Sequence, residues 1–193
     1  MNMFVRKIAS AVVAATLSCA VMTVPAFAEK PKWADKSDDG IVTFAINASG
    51  GVDAKDNNGG DFDILIEALI ATSTVAIFDG TDYTVFAPTD QAFYDLTQTD
   101  NDIDALAAVL GLLSLEEISG VLAYHVTEGA RNSRTVTRAR QITMLDENTI
   151  SYMNNLIVAN ESTAGLLDID NRLADGMVHV IDTVLLAEPL PAP

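Results

Sequence analysis

Cysteine is almost missing: the single Cys19 falls within the first 28 residues, so the rest of the chain has none and no disulfide can staple it. Histidine is nearly as scarce, with only His125 and His179, which removes most of the side chains that make general bases and transition-metal centres. No Gly-x-Ser-x-Gly elbow, phosphate loop, dinucleotide fingerprint or His-Glu-x-x-His helix occurs either. The sequence therefore predicts neither an enzyme nor a cofactor. Positive charge is the fourth shortage. Between Lys55 and Arg131 lie 75 residues without Lys or Arg, and they carry 14 Asp or Glu. A surface so charged repels nucleic acid and anionic membrane.

The amino terminus sets the destination. Arg6 and Lys7 precede an apolar run over 8–24 that closes on Pro25-Ala26-Phe27-Ala28, the pattern of a secretory signal cleaved after Ala28. The run is short for a membrane span and is interrupted by Ser10, Thr16, Ser18 and Thr23, so no stable membrane insertion is expected after cleavage. Lipidation at Cys19 is the alternative, weakened by Thr16 standing where lipoprotein signals usually have Leu. Cleavage leaves 165 residues with 9 Lys or Arg against 27 Asp or Glu, a net charge of −18. That length suffices for one domain with its own core. The expected location is secreted, periplasmic or extracellular. Residues 29–39, polar apart from Trp33, read as a linker, 40–187 as the domain and 188–193 as a tail.

Along the domain, 41–48 reads as a short helix, and Asp61 reads as the N-cap of a helix whose Leu65, Ala68, Leu69 and Thr72 share one face. Tyr83-Thr84-Val85-Phe86-Ala87 reads as a buried strand ended by Pro88, with Thr89 capping the next helix through its hydroxyl. Helices are predicted at 103–113 and 115–122, the second with a capping box, Ser114-x-x-Glu117. Short strands are predicted at 134–136, 141–145, 149–152 and 156–158, and a central strand over 177–186 after the Asp175-Gly176 turn. Helices first and strands later argue an α+β fold around a β-sandwich.

Three blocks in register carry a resemblance: Thr84-Val85-Phe86-Ala87-Pro88-Thr89-Asp90-Gln91-Ala92-Phe93, Leu122-Ala123-Tyr124-His125-Val126, and Asp175-Gly176-Met177-Val178-His179-Val180-Ile181-Asp182. Together they resemble the fasciclin domain family over residues 40 to 187. The resemblance implies a wedge-shaped β-sandwich with several α-helices packed at one side. It also implies a role in extracellular adhesion or in binding a cell-surface or matrix partner, with Tyr124 and His125 as the inherited site. The integrin-binding segment of animal members reads Glu-Pro-Asp-Ile-Met, whereas Asp168-Ile169-Asp170-Asn171-Arg172 stands here. Integrin binding is therefore not carried over.

Of the residues that could carry function, the histidines sit in apolar strand-like settings where an imidazole is usually a satisfied core group. The loop 53–63 offers Asp56, Asn57, Asn58, Asp61 and Asp63 as oxygen ligands, but Lys55 and Asn58 occupy positions an EF-hand reserves for a ligand and a turn glycine. A solvated Asx/Gly turn is favoured, and no metal ligand is assigned. Arg131, Arg134, Arg138 and Arg140 place four cations within ten residues of an otherwise anionic chain. If 134–140 is extended, Arg134, Arg138 and Arg140 point to one face and can grip an anionic polysaccharide or acidic protein surface; the competing reading is a solvated edge balanced by Asp146 and Glu147. Two further functions stay open: a self-associating matrix or biofilm component, and a small-molecule carrier with an apolar cleft.

Overall fold

The computed structural model describes residues 37–51, 55–78 and 81–191. The expected signal segment with Cys19, most of the expected 29–39 linker, Asp53 and the predicted Asp79-Gly80 turn lie outside the described residues. The elements are, in order, α1 (Ile41–Ala48), α2 (Asp63–Ala71), a short 3-10 turn, β1 (Tyr83–Pro88), α3 (Asp90–Thr97), α4 (Asp102–Leu112) and α5 (Leu115–Ala123). Then come β2 (Val126–Glu128), α6 (Ser133–Arg138), β3 (Ile142–Thr143), β4 (Thr149–Met153), β5 (Leu156–Val158), β6 (Thr163–Ala164), β7 (Leu166–Leu173) and β8 (Gly176–Ile181).

Two four-stranded sheets form, ordered β2-β1-β8-β7 and β3-β4-β5-β6. The first centres on β1 and β8, which run parallel with Val85 opposite Val178; the second is a meander of antiparallel pairs. Alternation along β1 and β8 decides what packs where. Val85, Ala87, Val178 and Val180 face the helices, in one core with Ile64, Leu65, Phe93, Ile118 and Leu122. Phe86 and Ile181 face the other way, in a second core with Tyr124, Ile142, Ile150, Ile157 and Leu185. Burying each of these large side chains contributes about 1.5–3 kcal/mol. The architecture is thus the α+β sandwich with α1 to α5 on one side, while α6 packs its Val136 into the second core. Gly176 makes the tight β1–β8 approach possible: its φ is 152°, and a Cβ there would lie 1.9 Å from the Tyr83 carbonyl oxygen.

Several local expectations change. Residues 134–136 are not a strand; they lie in α6, started by Asn132, whose side chain accepts from the Thr135 amide. Thr135, Val136 and Thr137 carry strand propensity, but an N-cap and one buried anchor, Val136, outweigh it. The strand predicted over 177–186 stops at Ile181, and β7, not foreseen, pairs beside it with two register shifts around Asp168 and Asn171. Helix α2 begins at Asp63, not beside an Asp61 cap, because Asp90 supplies the cap from 27 residues away: its two carboxylate oxygens accept the Asp63 and Ile64 amides, each at 2.9 Å. Thr89 occupies the N-cap position of α3 without a capping bond from its hydroxyl. The Ser114–Glu117 capping box forms as predicted.

Candidate functional site

Tyr124 and His125 sit at the end of α5, where the chain turns from the helical layer into β2. Tyr124 is fully buried. Its hydroxyl donates to the Thr149 carbonyl at 3.1 Å and accepts the Asn160 amide at 3.2 Å, tying the second sheet to the end of α5. His125 accepts the Leu185 amide on Nε2 at 2.9 Å, so its Nδ1–H donates to the Val121 carbonyl at 2.7 Å. Complete burial pushes its pKa down to about 4, leaving a neutral imidazole at physiological pH. Both side chains face inward and spend their polar atoms on the protein's own backbone.

His179 is placed in the same manner. Its Nδ1 accepts the Asp170 amide at 3.2 Å, its Nε2–H donates to the Arg131 carbonyl at 2.9 Å, and its ring stacks on Phe86 with centroids 5.7 Å apart. Burial holds its pKa below the usual histidine value. Asp170 continues the chain of contacts. Its carboxylate accepts from the Ser133 amide at 2.6 Å and from the Ser133 hydroxyl at 2.7 Å. The β7–β8 pair thereby fixes both Arg131 and the first residue of α6. Nothing local in the sequence marks this link, since its members are 37 to 48 residues apart.

Helix α6 corrects the geometry of the arginine strip. Arg134 and Arg138 are four residues apart on one helix and so share a face, while Arg140 follows two residues past the helix end; they do not line a strand face. All three are exposed, and among the described residues none of them forms an ion pair, with Asp146 and Glu147 or any other acid. What the structure brings together is a cationic knob footed, through the half-buried Ser133, on the buried Asp170 and His179.

The acidic loop also departs from expectation, because Asp61 and Asp63 are not solvated: each is only 3% exposed. The loop is clamped from two sides. The Asp90 amide donates to the Asp61 carbonyl and the Gln91 amide to that of Gly59, at 3.0 and 2.8 Å. The Asn57 amide donates to Asp102 at 2.9 Å, and Tyr94 donates its hydroxyl to the same carboxylate. Asp61, Asp63, Asp90 and Asp102 are consequently buried in one corner. Both carboxylate oxygens of Asp63 and Oδ1 of Asp61 have no hydrogen-bond partner. Burial, then the charges of Asp61, Asp102 and Asp56, push the Asp63 carboxyl up to about 6; the nearby Asp56 amide opposes this in part but lies outside hydrogen-bond geometry. Burial, then the side-chain hydrogen bond with Asp61, raises Asp90 as well, so its carboxyl holds a proton above the ordinary carboxylate range.

An apolar cavity of about 200 Å³ lies between α1, α2 and the first sheet, lined by Ile41, Phe44, Phe62, Leu65, Phe78 and Val85 among others. Among the described residues no single helix is long and apolar enough to cross a membrane.

The fasciclin domain model matches residues 60–187. Among curated proteins, the cell surface glycolipoproteins MPB83 of Mycobacterium bovis and MPT83 of Mycobacterium tuberculosis are each 34% identical over 113 residues, covering 58% of this chain and 47% of theirs. The chain thus spans about half the length of the curated relatives it matches. Among solved structures, a fasciclin domain pair from the insect cell adhesion molecule fasciclin I aligns with a TM-score of 0.46 and 15% identity, over 62% of this chain and 43% of that one. With the family model covering most of the chain, from the acidic loop to the residues just past β8, this protein belongs to the fasciclin domain family.

Proposed function

We infer that the chain is an exported, non-enzymatic binding module of the cell-surface adhesion type. Its partner is a cell-surface or matrix protein or an anionic polysaccharide, gripped by the guanidinium groups of Arg134, Arg138 and Arg140. The observation that carries this is the exposure of three arginines with no ion pair among the described residues, on a chain of formal net charge −16, their helix held by Asp170 through Ser133. Guanidinium forks match carboxylate and sulfate oxygens in pairs. The family and the relatives named as cell surface proteins support the adhesion reading and a surface or secreted location. Tyr124 and His125 serve binding indirectly, by holding the two sheets and α5 together beneath the surface.

The test is a biosensor titration of the mature protein over immobilised anionic polysaccharide and over envelope proteins from the producing cells. Replacing Arg134, Arg138 and Arg140 together by Ser should weaken binding by roughly 5- to 150-fold, about 1–3 kcal/mol for three exposed charged contacts, and flatten its salt dependence. Unchanged binding would remove the arginine knob from the mechanism. The cavity favours a second reading, a carrier of a small apolar molecule. Its 200 Å³ is below the roughly 300–1,000 Å³ of most ligand pockets, so this reading ranks behind adhesion, and a co-purifying ligand in native mass spectrometry would promote it.

A further inference from the structure

We propose that Asp56, Asp61 and Asp63 form a calcium site that ties the loop ahead of α2 to the first turn of that helix. Each of the three residues offers a carboxylate oxygen, and these atoms lie within 4.8 Å of one another. Oxygens bound to one Ca²⁺ at about 2.3–2.6 Å can be up to about 5 Å apart, so the spacing fits a common ion.

The second observation is independent of the clustering. Asp61 and Asp63 are each 97% buried by their 3% exposure, yet three of their four carboxylate oxygens meet no donor. The Asp56 amide is near Asp63 but outside hydrogen-bond geometry, and other neighbouring amides are committed elsewhere: those of Asp63 and Ile64 to Asp90, that of Phe62 to the Ser49 hydroxyl, and that of Asn57 to Asp102. Buried polar atoms are rarely left unpaired, and a group that lacks protein donors is completed by water or an ion. The charged groups gathered here are carboxylates, with oxygens of Asp56, Asp61 and Asp63 within 4.8 Å of one another, so the partner that completes them is a cation. An all-oxygen donor set with neither His nor Cys selects a hard cation over zinc or copper. The irregular three-carboxylate arrangement suits the flexible coordination of Ca²⁺ better than the octahedron Mg²⁺ demands. Asp56 is exposed, which opens the site on one side for ion entry and for water at the remaining positions. With three side-chain ligands, an affinity in the extracellular range of about 10⁻⁴–10⁻³ M is expected.

The experiment uses the mature chain dialysed against EGTA, then titrated with CaCl₂ and followed by calorimetry and thermal unfolding, with MgCl₂ and NaCl of matched ionic strength alongside. Saturable 1:1 heat is expected, with a rise in Tm of roughly 5–10 °C at a hundredfold excess over Kd. Asp56→Asn, on the exposed side, and Asp63→Asn should both stay folded by circular dichroism and lose the Tm rise. No calcium response in the wild-type chain would overturn the proposal. An equal response in both variants, or one reproduced by NaCl, would also overturn it, showing only screening of the acidic surface. A saturable response to Mg²⁺ alone would replace calcium at the site and overturn the choice of ion. The outcome is separable from that of the arginine experiment, because neither variant touches α6.

Discussion

The histidine region and the acidic corner are both buried, polar and built from residues far apart in sequence, yet they reach opposite states. Around His125 and His179 every ring nitrogen has a backbone partner between 2.7 and 3.2 Å. Around Asp61 and Asp63 three carboxylate oxygens have none. Burial therefore pushes the two regions in different directions on acidification. A neutral, satisfied imidazole loses by gaining a proton, whereas an unpaired carboxylate is relieved by one. Satisfied buried groups report on architecture and unsatisfied ones on a missing partner, and this contrast separates scaffold from site in the protein.

The largest effect should come from cutting the scaffold. His179→Ala removes the ring stacked on Phe86 and strands the Arg131 carbonyl and the Asp170 amide. A loss of about 3–4 kcal/mol in urea unfolding is expected. A loss below 1 kcal/mol would break the claim that the histidines are structural.

The second prediction follows the proton. His125 titrates near 4 in the fold and near the ordinary histidine value when unfolded. Its stabilisation is therefore intact above about pH 6.5 and is lost as pH falls toward 4, a change of about 3 kcal/mol. The Asp63 carboxyl, raised to about 6, has the opposite sign: its contribution is present at low pH and lost as pH rises through 6. Denaturant midpoints of wild type and His125→Leu between pH 7.5 and 4.5 would sharpen the comparison, since the variant should lose the acid-sensitive component. If wild type and variant share one pH profile, the imidazole does not titrate as its burial demands.

The smallest effect is a gain. In calcium-free buffer at pH 7.5, Asp63→Asn removes a buried charge that has no partner, and it should stabilise the chain by about 1–2 kcal/mol, read from the urea midpoint. Destabilisation of the same size would mean that Asp63 is paired in solution and that the two regions do not differ.

Much of the fold was legible because its signals are local. Tyr83 to Ala87 concentrates β-branched and aromatic residues before Pro88, and Ser114 with Glu117 closes a capping box within four residues. The arginine segment was misread for an equally local reason: Thr135, Val136 and Thr137 look like a strand. The buried Val136, the Asn132 cap and Asp170's hold on Ser133 make it a helix. Strand β7 was hidden because Asp170 adopts a φ of 65° within it and breaks the two-residue alternation. The scarcity of histidine was visible in the sequence, whereas the completeness of each imidazole's partners was not.

By itself the sequence determined the class of the protein. Shortages of cysteine, histidine and basic residues, periodicity and turn chemistry are properties of neighbouring residues, and they sufficed for an acidic α+β module. Tertiary structure alone decided which polar groups are satisfied. Asp90 caps a helix 27 residues away, His179 reaches Arg131 across 48, and Asp61 with Asp63 is folded out of water beneath α3 and α4. Burial and hydrogen-bond satisfaction depend on contacts between distant segments, and no local pattern in the chain encodes them.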